Sequence, residues 1–373
     1  MGNYLRTYAR IDLQAIKENI LNIKSLLNKG TKLLAVIKAD GYGHGALKIA
    51  EMLKDKVDYF AVATLDEGIE LRKNNIDIPI LILGYISKEE CRDAIKYDIT
   101  ETVYNLDMAQ NINDEAKKQG KIAKIHIALE TGMNRIGFKS DDKSINYIKS
   151  IDKMENIFLE GMFTHFSCAD EKDKDYAKRQ LNLYKEFAEK LELNNVNIKL
   201  KHVANSAGII DLEDCDLDMV RSGIITYGLY PSDEVKKEKL KLKPALQWKS
   251  HIVNVFKAEK GSKIGYGGTY TAHKDMLVGT ISVGYADGYS RSLSNKGRVL
   301  IHGKYAPIIG RICMDVMMVD ISNINNVKIE DEVTLIGKDG DEEITIEEIS
   351  SLAGSFNYEF ACNIGKRVNR VYL

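Results

Sequence analysis

The sequence predicts an α/β protein, an N-terminal (β/α)8 TIM-type barrel followed by a C-terminal, mainly antiparallel β domain. Three observations carry this prediction. Up to about residue 230, short apolar runs alternate with amphipathic helical stretches; eight such runs occur; beyond residue 230 helical periodicity gives way to period-two alternation broken by glycine turns. Strict β/α alternation implies parallel strands joined by right-handed crossovers, and eight units over this length have the size of a closed barrel. A doubly wound open sheet is the alternative that the pattern allows.

The first helical stretch, 12–27, carries apolar residues at 13, 16, 20, 23 and 27, with Asp12 placed to cap it. A strand over 33–37 follows, then a helical stretch from Ala46 to Leu53. The other strand candidates are 59–64, 78–83, 100–104, 122–129, 157–163, 198–203 and 217–223. Between them lie helical segments such as 65–75, 87–96, 105–119 and 173–191. Pro231, Pro244 and the charged stretch DEVKKEKLKLK mark a boundary, which gives a barrel domain over 1–235 and a β domain over 236–373. Within the latter, runs such as ALQWKSHIVNVFKA, MLVGTISVGY and DEVTLIG read as strands, with one helix over 345–353.

Composition narrows the function. Fifty-three Lys and Arg against fifty-four Asp and Glu leave a net charge of -1, so nothing favours nucleic acid or an anionic membrane surface. The five cysteines, at 91, 168, 215, 313 and 362, form no CxxC, and no two of the seven histidines stand at i, i+4. Neither a disulfide framework nor a metal site is therefore expected. The N-terminal stretch has no apolar signal core and no run reaches membrane-spanning length, so the cytoplasm is the expected compartment.

Chemistry is expected at the C-terminal rim of the barrel, just after the strands. LLAVIKADGYGHG (33–45) puts Lys38 at the end of an apolar strand, ahead of glycines at 41, 43 and 45 that let the backbone turn sharply and approach a ligand. A lysine held at such a rim can form a Schiff base with a carbonyl. Tyr42 follows it. Arg135 stands after the fifth strand, His165 after the sixth, Asn205 and Ser206 after the seventh, Arg221 and Gly223 after the eighth. The last two loops commonly bind phosphate, with the Ser206 hydroxyl and backbone N–H groups at Gly223-Ile224 as donors. An amine that traps carbonyls beside a phosphate cradle points to pyridoxal 5'-phosphate.

AVIKADGYGHG (35–45), TGMNRIGF (131–138), GMFTHF (161–166), ANSAG (204–208), VRSGIITYGLYP (220–231), IGYGGTY (264–270), SVGYADGYSR (282–291), GRICMD (310–315) and NYE (357–359) resemble the alanine racemase family from end to end. The resemblance implies a pyridoxal-phosphate racemase of small amino acids, active as a homodimer with shared sites. It implies that Lys38 holds the cofactor and serves as one base, and that Tyr266, from the partner subunit, serves as the second. Arg221 would bond the pyridine nitrogen, and His165 would link Arg221 to the tyrosine. Tyr42, Ser206, Gly223, Ile224 and Tyr358 would hold the phosphate. Arg135 would contact the cofactor phenolate, Met314 the substrate carboxylate, and Tyr285 and Asp315 would line the entrance. Racemisation removes a proton from one face of Cα and delivers one to the other, so two acid/base groups must flank it.

One departure stands out. Many relatives carry a carbamylated lysine seven residues before the arginine of TGMxRIG, and here that position is Ala128, with Glu130 and Asn134 nearby. Glu130 or a bound chloride is therefore expected to partner Arg135. The implied reaction interconverts L- and D-alanine, which supplies D-alanine for peptidoglycan. A racemase preferring serine or another small amino acid, and a non-catalytic pyridoxal-phosphate carrier, are the alternatives. A carrier of the single-barrel kind would lack residues 240–373 and Tyr266.

Overall fold

The computed structural model describes residues 5–373, which fall into two compact units. The first, 15–41 with 46–244, is the barrel. Its strands are β1 (Lys32–Val36), β2 (Tyr59–Val62), β3 (Ile80–Ile82), β4 (Glu101–Val103), β5 (Ala123–Glu130), β6 (Ile157–Phe163), β7 (Leu200–His202) and β8 (Met219–Ser222). Strands β8-β1-β2-β3 pair in parallel, as do β4-β5-β6-β7. A parallel bridge between Leu81 and Thr100 joins the two sets on one side. On the other, the Arg221 N–H donates to the Ala204 carbonyl (2.9 Å) and the Asp218 N–H to that of Lys201 (3.1 Å). The ring is closed, which decides for the barrel over the open sheet. Every residue of β2, β3 and β4 is buried, as expected of strands covered on both faces.

Local chemistry starts the helices where the sequence provides oxygen caps. Thr64 forms a capping box with Glu67, and Asn105 and Asp141 each accept the backbone N–H three residues on. The helix expected over 87–96 starts later, at Cys91–Lys96. Ser87 and Glu90 exchange side-chain-to-backbone bonds and hold 87–90 as a turn.

The second unit comprises residues up to Gln14, 42–45 and 245–373. Its strands include β9 (Leu246–Ala258), β10 (Met276–Ile281), β11 (Arg298–Ile301), β12 (Lys304–Ile309), β13 (Met317–Asp320) and β14 (Glu332–Asp339). They run in the order β14-β11-β12-β13-β10-β9, extended by Thr7–Ile11 and Asn369–Tyr372, and β9 also pairs with β14. All these pairs are antiparallel except Thr7–Ile11 with Asn369–Tyr372. The N-terminal stretch, grouped with the barrel in the sequence reading, thus runs as a strand of this sheet, held by register with Leu246–Ser250. Trp248 is fully buried, donates to the Thr7 hydroxyl (2.9 Å) and meets Tyr289 edge-on.

Candidate active site

Lys38 follows β1 at the rim, and the chain then does something costly. Ala39, Asp40, Gly41 and Tyr42 all have left-handed backbone angles, with φ of 52°, 53°, 61° and 51°. Each non-glycine residue held this way costs roughly 1–2 kcal/mol, and such strain gathers at functional sites. Three bonds hold the turn: Ala39 N–H to Glu67 (2.6 Å), Gly41 N–H to the Ile37 carbonyl (2.9 Å) and Ala46 N–H to Asp40 (2.9 Å). Glycine at 43 is required by its surroundings as well as its φ of 78°, since a Cβ there would lie 2.2 Å from the Ala361 carbonyl oxygen.

Arg221, on β8, is 3% exposed. One terminal nitrogen donates to His202 Nδ1 (3.0 Å) and the His202 carbonyl (2.8 Å). The other donates to the carbonyls of Thr164 (2.7 Å) and Val203 (3.1 Å), with His165 Nδ1 at 3.4 Å. Among the described residues no acceptor meets its Nε–H. Burial lowers the Arg221 pKa to about 10, so the guanidinium stays charged at neutral pH. His165 experiences Arg221, Arg135 and Lys38 together. Burial first, then these three cations, push its pKa down to about 3. The imidazole is neutral in a pocket of positive potential, and its Nδ1 is an acceptor.

The loops after β7 and β8 meet where Gly223 N–H donates to the Ser206 hydroxyl (3.0 Å), directly before the turn Ile224–Tyr227. Asn205, beside Ser206, has a local structural role. Its side-chain oxygen accepts the Gly208 N–H (3.0 Å) and caps the helix Ser206–Asp211. Gln180, buried on the helix Asp175–Leu193, ties two rim loops together by donating to Thr131 Oγ1 (3.3 Å) and the His165 carbonyl (3.1 Å).

Of the two partners expected for Arg135, Glu130 and a bound chloride, Glu130 does not pair with its guanidinium among the described residues. Glu130 accepts the backbone N–H of Gly132 and of Arg135 (3.2 Å), so its carboxylate shapes the turn instead of pairing with the guanidinium. The physical reason is reach: Asn134, at φ 55°, folds the backbone back over Glu130 and points its amides at the carboxylate.

In the β unit, Tyr266 sits on a turn at the tip of the hairpin Lys263–Ile264/Tyr270–Thr271 and is 69% exposed. Tyr285, Met314 and Asp315 come together. The Tyr285 and Ala286 N–H groups bond the carbonyls of Cys313 (3.0 Å) and Met314 (3.1 Å). Arg367 spans from Asp315 (2.7 Å) to the fully buried Asp287 (3.1 Å), which also pairs with Arg6. Tyr42 and Tyr358 face each other with ring centroids 6.0 Å apart. Sequence reading passed over Arg367 and Asp287, and inside the barrel it passed over His126, His202 and Glu160. The available signal was two histidines, each set in an apolar strand run of the same barrel.

The family profile for the alanine racemase N-terminal domain matches residues 11–231, and that for the C-terminal domain matches 245–372. An alanine racemase of Clostridium tetani is 47% identical over all of this chain and 97% of its own length, and one of Methanococcus maripaludis is 45% identical over 98% of each. Among solved structures, alanine racemase of Clostridium difficile superimposes with a TM-score of 0.95 at 47% identity, covering 99% of this chain and 96% of its own. The Bacillus anthracis enzyme with bound L-Ala-P does so with 0.94 at 34%, covering 100% and 96%. The chain belongs to the alanine racemase family.

Proposed function

We propose that this protein interconverts L- and D-alanine with pyridoxal 5'-phosphate, using Lys38 and Tyr266 as acid/base groups on opposite faces of the substrate. The observation that carries the proposal is the rim of the barrel, where a neutral imidazole is surrounded by Lys38, Arg135 and a buried Arg221 that has one N–H to spare. That donor set fits the cofactor: an amine for its aldehyde, cations for its anionic oxygens, and a guanidinium N–H for the ring nitrogen. Ser206, the Gly223 and Ile224 backbone, Tyr42 and Tyr358 would hold its phosphate. When bound, the cofactor supplies an electron sink conjugated with the substrate Cα.

The chain's own groups do the remaining work. Lys38 takes or returns a proton at Cα from one side, and the partner's Tyr266 does so from the other. His165 offers its Nδ1 to Arg221 and would link that arginine to the phenol. Arg221, which stays charged and only donates, would meet the ring nitrogen with an N–H and give it no proton. Met314 would receive the substrate carboxylate, with Tyr285 and Asp315 at the entrance. The exposure of Tyr266, Tyr285 and Met314 in a single chain (69%, 43% and 52%) supports a homodimer in which each subunit lends its β unit to the other's site.

The test is loss of optical rotation from L-alanine, with and without added cofactor, and with serine run alongside. Lys38→Ala is expected to lose at least about 10³-fold in turnover, and Tyr266→Phe about 10²–10⁴-fold, the range for removing one acid/base group. Full activity in Tyr266→Phe in both directions would defeat the two-base assignment. A fully active monomer would defeat the shared site.

A further inference from the structure

Arg221 is a fully buried cation that touches no carboxylate among the described residues. All its acceptors are carbonyls or imidazoles, and an unbalanced charge in such a place is costly. Following its hydrogen bonds inward resolves this. His202 Nε2 lies 2.9 Å from His126 Nδ1, and His126 Nε2 lies 3.1 Å from Glu160 Oε2. Both imidazoles are fully buried inside the barrel. Glu160 also accepts from Tyr59.

The direction of every bond in this row is fixed by its first member. Arginine only donates, so His202 Nδ1 accepts and its proton sits on Nε2. That proton is given to His126 Nδ1, which places the proton of His126 on Nε2, where Glu160 receives it. Both rings are neutral; burial and Arg221 lower their pKa values, for His126 against the pull of Glu160. Burial alone would raise the Glu160 pKa, but the bonds from His126 and Tyr59 outweigh it and hold the carboxyl ionised.

The fold makes room for this row. Strand β6 pairs Leu159 with Ile125 and Gly161 with His126, so Glu160 is the extra residue of a bulge, the device that re-aims a side chain. A Cβ at Gly161 would lie 2.7–2.8 Å from three atoms of the His126 ring, so only glycine fits beside it.

We infer that Glu160, acting through His126 and His202, is the counter-charge of Arg221, and that Glu160 and His126 are positioning residues for the arginine at the cofactor ring. This rests on the reading that Arg221 donates to the ring nitrogen. The carboxylate polarises both imidazoles, strengthens the acceptor at His202 Nδ1 and fixes the guanidinium as a donor toward the cofactor.

The experiment uses holoenzyme labelled with ¹⁵N-histidine, with the two signals assigned by their loss in His126→Gln and His202→Gln. Both rings should show a bare Nδ1 and a protonated Nε2, without titrating between about pH 6 and 9. An imidazolium or an Nδ1–H form at either ring overturns the relay. Glu160→Gln keeps an acceptor but removes the charge. It should lower kcat about tenfold with KM within about twofold, the loss of one charge-assisted link felt at the transition state, and shift the absorption band of the bound cofactor. His126→Gln should do the same if Glu160→Gln does not fold. Wild-type kcat and an unmoved band in whichever variant folds overturn the counter-charge role. Arg221→Ala separates the two readings: an unchanged cofactor band there, with the histidine forms as expected, defeats the assignment of Arg221 to the ring and leaves the relay standing.

Discussion

Two acids of the same barrel, with one strand between them in the ring, behave in opposite ways. Glu101, on β4, is 1% exposed, and neither carboxyl oxygen has a hydrogen-bond partner among the described residues. Burial drives its pKa up to about 8, and the Cys91 thiol is pushed up to about 12 by burial and by this carboxyl. Glu160, on the bulge of β6, keeps a histidine and a tyrosine as donors and stays below the usual carboxylate range despite being half-buried. The difference teaches that depth and donors together decide the charge of a buried acid: Glu101 lies deeper and meets no donor, while Glu160 lies shallower and its donors outweigh the cost of burial. Behind β4 no described residue donates, and Glu101 is neutral at pH 7. Inside the barrel a row of donors ends at Glu160, and the charge is kept.

The largest way to sharpen this contrast is Glu101→Gln. The folded-state pKa is raised, so the native chain holds a proton that the unfolded chain releases from about pH 4.5 upward. Stability from this group is present below that pH and is lost as pH rises through about 8. Urea unfolding should find wild type and variant alike near pH 4. Near pH 9 the variant should be more stable by roughly 3–5 kcal/mol, at about 1.4 kcal/mol for each tenfold difference in proton affinity between the folded and unfolded chains. A difference that does not grow with pH would break the contrast at Glu101. Gly161→Ala attacks the other side. It should destabilise the protein by about 2–3 kcal/mol, as over-packing of a fixed core ring does, and displace the ¹⁵N signals of His126. The smallest effect belongs to a third acid, Glu130, whose carboxylate meets only backbone N–H groups of an exposed turn. Glu130→Gln should cost less than about 1 kcal/mol in the same assay. Among the described residues no carboxylate pairs with the Arg135 guanidinium, and turnover should fall when chloride is replaced by a larger anion such as acetate.

The sites differ in how far they could be read beforehand. Lys38, Arg135, His165 and Ser206 follow predicted strands, Arg221 stands within the eighth, near its end, and a barrel that closes must bring strand ends to one rim. Asn205 stands at the same rim, yet its side chain caps a helix. A residue type that accepts a backbone N–H as readily as a ligand atom does not announce which it will take. Of the two partners anticipated for Arg135, Glu130 and a bound chloride, Glu130 meets its backbone N–H and not its guanidinium, at a turn where Asn134 is left-handed.

By itself the sequence determined the eight-fold alternation, the change to period two near residue 230 and the residues at strand ends, since periodicity, capping oxygens and glycine turns act over a few neighbouring residues. Tertiary structure alone decided that Thr7–Ile11 joins the sheet of the β unit, that the turn after Lys38 is left-handed, and that Glu160 points into the barrel. The reason is register. Which face of a strand a side chain takes reverses with a slip of one residue, and that slip is set by partner strands far away in the chain.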